Sequence, residues 1–386
     1  MTDPSKRSPP LERIGTLSAG TFLRDYWQRQ PLLLRQACPA SALAIDARRL
    51  FDLARRDDIE SRLVTAFHGR WQLRHGPIGR REVPPRDRRG WTLLVQGVDQ
   101  VDPVAAAILA RFRFLSDARL DDVMLSFASD HGGVGPHRDS YDVFLIQVAG
   151  RRRWRIDPRR ERGPAKIKPG LPLRILARFE PTASWVLEPG DMLYLPPGVA
   201  HEGVALGESI TCSVGARAPA WQELVEPWHL ALADATTIAG RYRDPLEPTP
   251  QQARRPARLP AAFAAAAFDR LAARRPTRTD ATRLLLAYLT EPKAQVVFDR
   301  PARPLAPAAF ARQAARRGLR ADPRSRILYA GSWLGINGEL LALPAAIRPV
   351  LQQFADRRAL AQALTQAALD PLRIWYLAGW IHLGAA

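Results

Sequence analysis

Three residues of this chain have the types and spacing to hold a metal ion. His137 and Asp139 stand two apart in HRDSYDVFLIQ, and His201 closes EPGDMLYLPPGVAHEG. Side chains alternate along a strand, so residues i and i+2 share a face and can reach one ion, while a returning strand supplies the third ligand. Two imidazoles and a carboxylate on one side of an ion form the facial triad of non-haem Fe(II) oxygenases, whose remaining positions stay open for a cosubstrate and dioxygen. An isolated His-X-Asp arises by chance in many proteins, so the surrounding elements decide its meaning.

Those elements are strand-like. After His-X-Asp comes the run Tyr141 to Val148, a turn expected at Gly150, and a second strand, Arg151 to Ile156. Before His201, Glu188-Pro189-Gly190-Asp191 carries a turn signal. The apolar strand Met192 to Leu195 follows, and Pro196-Pro197-Gly198 breaks it. Strands separated by tight turns, with a histidine at a strand end, predict a double-stranded β-helix, a jelly-roll or cupin-type barrel, with the ligands at its mouth.

The second strand points to a cosubstrate. In Arg151-Arg152-Arg153-Trp154-Arg155-Ile156, period two places Arg152, Trp154 and Ile156 on one face and Arg151, Arg153 and Arg155 on the other. The face with Trp and Ile is the buried one, so Arg152 points inward and needs an anion. A carboxylate matches its fork of donors, and the distal carboxylate of 2-oxoglutarate fits; an internal Asp or Glu would satisfy it equally.

Together GPHRDSYDVFLIQVAGRRRWRI, LEPGDMLYLPPGVAHEG and SVGARAP resemble the JmjC-type ribosomal oxygenases. More narrowly they resemble the bacterial branch, which hydroxylates an arginine of large-subunit ribosomal protein sixteen. FLRDYWQRQPLLLRQA (22–37) and GWTLLVQGVDQVDP (90–103) match that branch too, so the resemblance covers nearly the whole chain. It implies Fe(II) at His137, Asp139 and His201, 2-oxoglutarate as cosubstrate at Arg152, and a ribosomal protein arginine as the site of hydroxylation. Arg138 stands where relatives carry an apolar or aromatic residue, but its side chain should point away from the metal face.

Other site residues follow from alternation. Tyr141, four residues after His137, should look into the mouth. In LDDVMLSFASD, the cavity face should carry Asp122, Met124 and Ser126 rather than Val123, Leu125 and Phe127. A guanidinium substrate needs a carboxylate and tolerates an aromatic plane, roles that Asp122 and Tyr141 can fill; each would equally serve as a supporting hydrogen-bond partner. Thr211 and Ser213, alternate on the strand after His201, can donate to the cosubstrate. His131, before Gly132-Gly133, reads as a loop residue, and His68, His75, His229 and His382 have no motif around them.

Length and texture divide the 386 residues into three. Residues 1–219 hold the strand-rich motifs of the JmjC/cupin domain. Residues 220–291 are helical, interrupted by a proline-rich link from Arg243 to Pro260, and the resemblance favours a dimerisation region there. Residues 292–386 mix helices with a hairpin whose Asn337-Gly338 suits a type I′ turn, as in a winged helix. The fold class expected is therefore α+β.

Composition narrows the setting. Two cysteines, Cys38 and Cys212, make no disulfide framework. No leader-like apolar segment or bilayer-length run is present, so a soluble cytoplasmic protein is expected, and the apolar helical stretch from Trp221 to Thr290 predicts a homodimer. The net charge of +19 is nearly all arginine, which GC-rich coding produces without functional demand; it would still favour nonspecific RNA contact. No zinc-finger spacing or interleaved aromatic-basic motif indicates sequence-specific binding. Two rival readings stay open. One keeps the chemistry on a different residue, as a histidyl hydroxylase or lysine demethylase. The other is a non-catalytic basic winged-helix scaffold that binds nucleic acid.

Overall fold

The structure, a computed structural model, describes residues 10–39, 44–67, 69–159, 165–239, 259, 261–272 and 275–384. A short ladder pairs β1 (Arg13–Ile14) with β2 (Leu17–Ser18). Ten strands then form one antiparallel sheet: β3 (Leu32–Leu34), β4 (Ser61–Phe67), β5 (Arg70–His75), β6 (Trp91–Val95), β7 (Leu120–Ala128), β8 (His137–Arg138), β9 (Asp142–Asp157), β10 (Ala183–Leu187), β11 (Met192–Leu195) and β12 (Ala200–Ala216). Their order is β3-β11-β9-β12-β7-β6-β4-β5, with β10 added on β9 and β8 on β12.

The long strands β9 and β12 run antiparallel from Asp142 opposite Ala216 to Asp157 opposite Ala200, and both change their outer neighbours midway. The first half of β9 pairs with β11, the second with β10. β12 begins beside β8 and ends beside β7. One strand pair thus serves both halves of the roll, which makes the fold a double-stranded β-helix within an α+β chain.

The turn expected at Gly150 is absent: β9 runs straight through it. In its place the register shifts twice. Gly207 and Glu208 of β12 have no opposite residue between Leu206, which faces Arg151, and Ser209, which faces Gly150. Val148 of β9 has none between Gln147, which faces Thr211, and Ala149, which faces Ile210. Such a bulge exchanges the two faces of a strand. Val143 and Leu145 therefore share one buried cluster with Trp154 and Ile156, although the first two are odd-numbered and the second two even-numbered. Phe144, Ile146 and Val148 join the larger core on the other side, with Phe22, Phe112 and Tyr194. Gly150 has φ 63°, and a Cβ there would lie 1.9 Å from the Glu208 carbonyl oxygen, so only glycine fits the bulge.

By contact density the chain forms two compact units. One comprises Met1–Ala218, Pro292–Ser325 and Pro349–Ala386; the other comprises Pro219–Glu291 and Arg326–Arg348. Beyond the roll, the first unit holds the helices Pro307–Arg317 and Gln366–Leu377 and a small sheet in which β13 (Leu319–Ala321) lies between β17 (Ala359–Leu360) and β18 (Ile381–Leu383). The second unit holds the helices Val225–Asp234, Ala261–Ala272 and Arg278–Thr290 with a sheet of β14 (Ile327–Ala330), β15 (Trp333–Ile336) and β16 (Glu339–Ala342).

That last sheet has three strands where the sequence suggested a two-stranded hairpin. Asn337-Gly338 makes the expected turn, with φ 48° and 86°, both positive as type I′ requires. A second two-residue link, Gly331-Ser332, joins Ala330 to Trp333 and adds the extra strand. The proline-rich stretch Arg243 to Pro260 lies, apart from Leu259, outside the described residues. Among the described residues no helix is long and apolar enough to cross a membrane.

Candidate metal centre

His137 sits on the two-residue strand β8, opposite His201 on β12. Asp139 lies one residue beyond β8 rather than on it, and its carbonyl accepts the Gly198 N–H at 2.8 Å, which continues the pairing as far as the Pro-Pro-Gly break. His137, Asp139 and His201 are the one group of three or more His, Cys, Asp or Glu side chains among the described residues that converges closely enough for a metal ion. His137 Nε2 is 3.8 Å from one Asp139 oxygen and His201 Nε2 is 3.6 Å from the other.

The tautomers suit a metal. His137 Nδ1 lies 2.9 Å from Gly135 O and His201 Nδ1 3.0 Å from Val199 O. A carbonyl only accepts, so in each neutral ring the proton sits on Nδ1 and the Nε2 lone pair faces Asp139. Burial, reinforced by His137, pushes the His201 pKa down to about 4, so its ring is neutral at physiological pH. Two imidazole nitrogens and a carboxylate are the donor set that Fe(II) takes.

Arg152 lies deeper in the roll. Burial follows the alternation on β9: Arg152, Trp154 and Ile156 are buried, whereas Arg151, Arg153 and Arg155 are exposed. Only 4 % of Arg152 is accessible. Its Nη1 donates to Ser126 Oγ at 3.1 Å and to Thr211 Oγ1 at 3.2 Å, and its Nε is buried with no partner. Burial lowers its pKa to about 10, which leaves it charged at neutral pH. No carboxylate pairs with it among the described residues. A buried cation held by two hydroxyl groups and the Trp154 ring, 5.4 Å away, still lacks an anion, and a small dicarboxylate would supply one.

Ser126 and Gln147 complete this pocket. Alternation put Ser126 on the cavity face without revealing its tie to Arg152. Gln147 sits unremarked in an otherwise apolar run, yet it is fully buried. Its amide donates to Ala149 O at 2.8 Å and to Gly150 O at 3.3 Å, and its oxygen accepts the Thr211 hydroxyl at 3.2 Å. One side chain thus fastens the bulge to the threonine that receives Arg152. Ser213 is buried two residues along β12 from Thr211, opposite Met124 on β7.

Asp122 is buried, and its carboxylate accepts from Gln96 Nε2 at 2.9 and 3.2 Å and from Lys293 Nζ at 2.8 Å. Burial, then Asp139 and Asp122, raises the Tyr141 pKa, so its hydroxyl stays protonated. Asp99 accepts the Val123 N–H at 2.8 Å, and burial, followed by the charge of Asp122, pushes its pKa up to about 7. His131 occupies a loop with φ 59°, and His382 bonds Asp322 Oδ2 at 2.8 Å, away from this site. His68 lies outside the described residues.

Residues 107–224 match the JmjC domain family and residues 269–386 the ROXA-like winged helix. The chain is 38% identical over 233 residues to the ribosomal protein uL16 3-hydroxylase of Escherichia coli K12, an alignment covering 60% of this chain and 61% of that protein. It is 34% identical over 207 residues to a probable ribosomal oxygenase of Haemophilus influenzae, covering 53% of this chain and 51% of the other. These alignments span less than two thirds of either relative. The structure of the E. coli ribosomal oxygenase YcfD in complex with cobalt and 2-oxoglutarate superposes with a TM-score of 0.78 at 30% identity, over 95% of this chain and 98% of that one. With both domain families in place and that likeness running from end to end, the chain belongs to the JmjC-type ribosomal oxygenases, in their bacterial branch.

Proposed function

We propose that the chain is an Fe(II)- and 2-oxoglutarate-dependent oxygenase that hydroxylates an arginine side chain of a large-subunit ribosomal protein in the cytoplasm. The observation that carries this reading is Arg152, a buried guanidinium with hydroxyl partners and no carboxylate, beside two histidines and an aspartate with free Nε2 lone pairs. His137, Asp139 and His201 would hold the iron. Arg152 would hold the distal carboxylate of 2-oxoglutarate, with Ser213 donating nearby and Thr211 donating once its hydroxyl turns from Gln147. Bound there, iron and 2-oxoglutarate supply the oxidising power that puts one oxygen atom of dioxygen into a C–H bond, with succinate and carbon dioxide as coproducts. The chain itself orients the cosubstrate and sets which carbon comes near the metal.

Asp122 and Tyr141 fit the substrate guanidinium: a buried carboxylate to pair with the cation and an aromatic plane to stack on it. Asp122→Ala is expected to raise the KM for an arginine-containing ribosomal peptide by about thirtyfold or more, the usual consequence of removing one partner of a buried charge pair. Its 2-oxoglutarate binding should be retained. Mass spectrometry of arginine and histidine peptides after turnover, with fragmentation to place a gain of one oxygen, tests the substrate. Oxygen on histidine, or loss of a methyl group from lysine, would move the reading to the rival substrates. A complete metal-ligand set argues against a non-catalytic scaffold.

The helices of the second unit expose large apolar side chains. Trp221 is 88 % accessible, Phe268 70 % and Leu271 72 %. Patches of this kind mark interfaces, and two-fold dimers are the commonest closed assemblies. A homodimer through residues 220–291 is the proposed state, and light scattering at micromolar concentration should return twice the chain mass of 42.9 kDa. A monomeric mass would refute it. Nonspecific RNA contact is proposed from the arginine surplus, which predicts a binding affinity that falls steeply with salt.

A further inference from the structure

We propose that Lys293 is a specificity-determining residue: its ammonium holds Asp122 as an internal competitor, which an entering side chain displaces only if it binds the carboxylate better. This rests on the reading of Asp122 as the substrate's guanidinium partner. Lys293 Nζ lies 2.8 Å from Asp122 Oδ2 and 3.3 Å from Asp121 Oδ1. The Asp122 side chain is 4 % exposed but that of Lys293 is 27 % exposed, so the carboxylate is fixed and the ammonium has a route to water. Gln96 holds Asp122 from the other side, and its own oxygen accepts from Arg62 at 3.2 Å. A buried carboxylate is therefore paired before any substrate arrives, and leaving it bare would be costly.

The choice of cation stands out in this chain. Only four of its 57 cationic side chains are lysine, at positions 6, 166, 168 and 293, yet a lysine faces Asp122. An ammonium is a strongly hydrated point charge on a flexible stem, whereas a guanidinium is a weakly hydrated planar fork that engages both carboxylate oxygens. An incoming arginine exchanges the single-point pair on Asp122 for a bidentate one, while Lys293 keeps its pair with Asp121 and gains hydration. An incoming lysine exchanges like for like and gains nothing. A neutral imidazole cannot replace the charge at all. The internal lysine thus makes the site select for arginine by displacement, with no clash against other side chains.

The test measures binding of a fluorescent arginine-containing basic peptide, and of its lysine counterpart, to the full-length protein with Fe(II) and 2-oxoglutarate under nitrogen. Lys293→Met keeps the stem and removes the charge. It should tighten arginine-peptide binding by about fivefold and bring the lysine peptide closer to it, a change of the size expected for a partly exposed pair. Lys293→Arg should weaken arginine-peptide binding by about fivefold, because the internal fork is then as good as the incoming one. Thermal midpoints equal to that of the unaltered protein will show that both variants fold. Unchanged affinity and selectivity in Lys293→Met, alongside weakened binding in Asp122→Asn, would overturn the role of Lys293 and leave the reading of Asp122 standing. Undiminished binding in Asp122→Asn would remove that reading and this inference together.

Discussion

Asp139→Ala is expected to abolish turnover, by about a thousandfold or more, while the protein stays folded. The size follows from the several kcal/mol that a catalytic metal contributes to the reaction it activates. Asp139 separates the metal's role from the fold's better than His201 does. Its side chain is 19 % exposed, whereas His201 is 2 % exposed and would leave a hole in the roll. The backbone bond from Gly198 to Asp139 O survives the change. The variant should therefore unfold within a degree or two of the unaltered protein, bind iron weakly and convert no 2-oxoglutarate. Retained activity, or a tightly bound zinc with four protein ligands, would show that these three residues do not form an open iron site.

Arg152→Ala should raise the 2-oxoglutarate requirement by about a hundredfold or more, whereas Arg153→Ala should leave it within twofold. Removing one partner of a buried charge pair costs about 3–5 kcal/mol. Arg153 is exposed on the opposite face of the strand. Heat denaturation gives an independent readout. Without cosubstrate Arg152 is a buried charge lacking an anion, so Arg152→Ala should unfold no earlier than the unaltered protein. Added 2-oxoglutarate should stabilise the unaltered protein and Arg153→Ala but not Arg152→Ala, because a ligand raises the midpoint only of a fold that binds it. Equal responses from the two variants would overturn the assignment of strand faces.

Much of the roll could be read from local pattern. The strand at Met192–Leu195, the Pro-Pro-Gly break and the inward set Arg152, Trp154 and Ile156 each follow from turn residues or period two acting over a few positions. The readings that missed involve partners distant along the chain or backbone conformation. Gly150 looks like a turn because glycine signals one; nothing local distinguishes a hairpin from a bulge when the deciding neighbour is the Glu208 carbonyl on β12. Gln147 looks like one polar residue in an apolar run until the bulge supplies carbonyls for its amide. Lys293 lies 171 residues from Asp122, and no pattern in either segment announces the other. Gly331-Ser332 is a weaker turn signal than Asn337-Gly338, which is why the third strand of its sheet went unread.

The outward arginines of β9 have a further consequence, for how the strand finds its place. Sliding β9 by one residue against β12 and β10 would turn every side chain to the opposite face. Arg151, Arg153 and Arg155 would then enter the roll together, and Trp154 and Ile156 would be left in water. The native alignment buries one guanidinium, which a cosubstrate can neutralise; the misaligned one would bury three. The basic face therefore works as a key that fits a single register, and it safeguards the placement of Arg152 during folding without touching the site. Changing these three arginines to valine should leave the pocket intact in molecules that reach the native register, while allowing a fraction of chains to settle out of step and lose it.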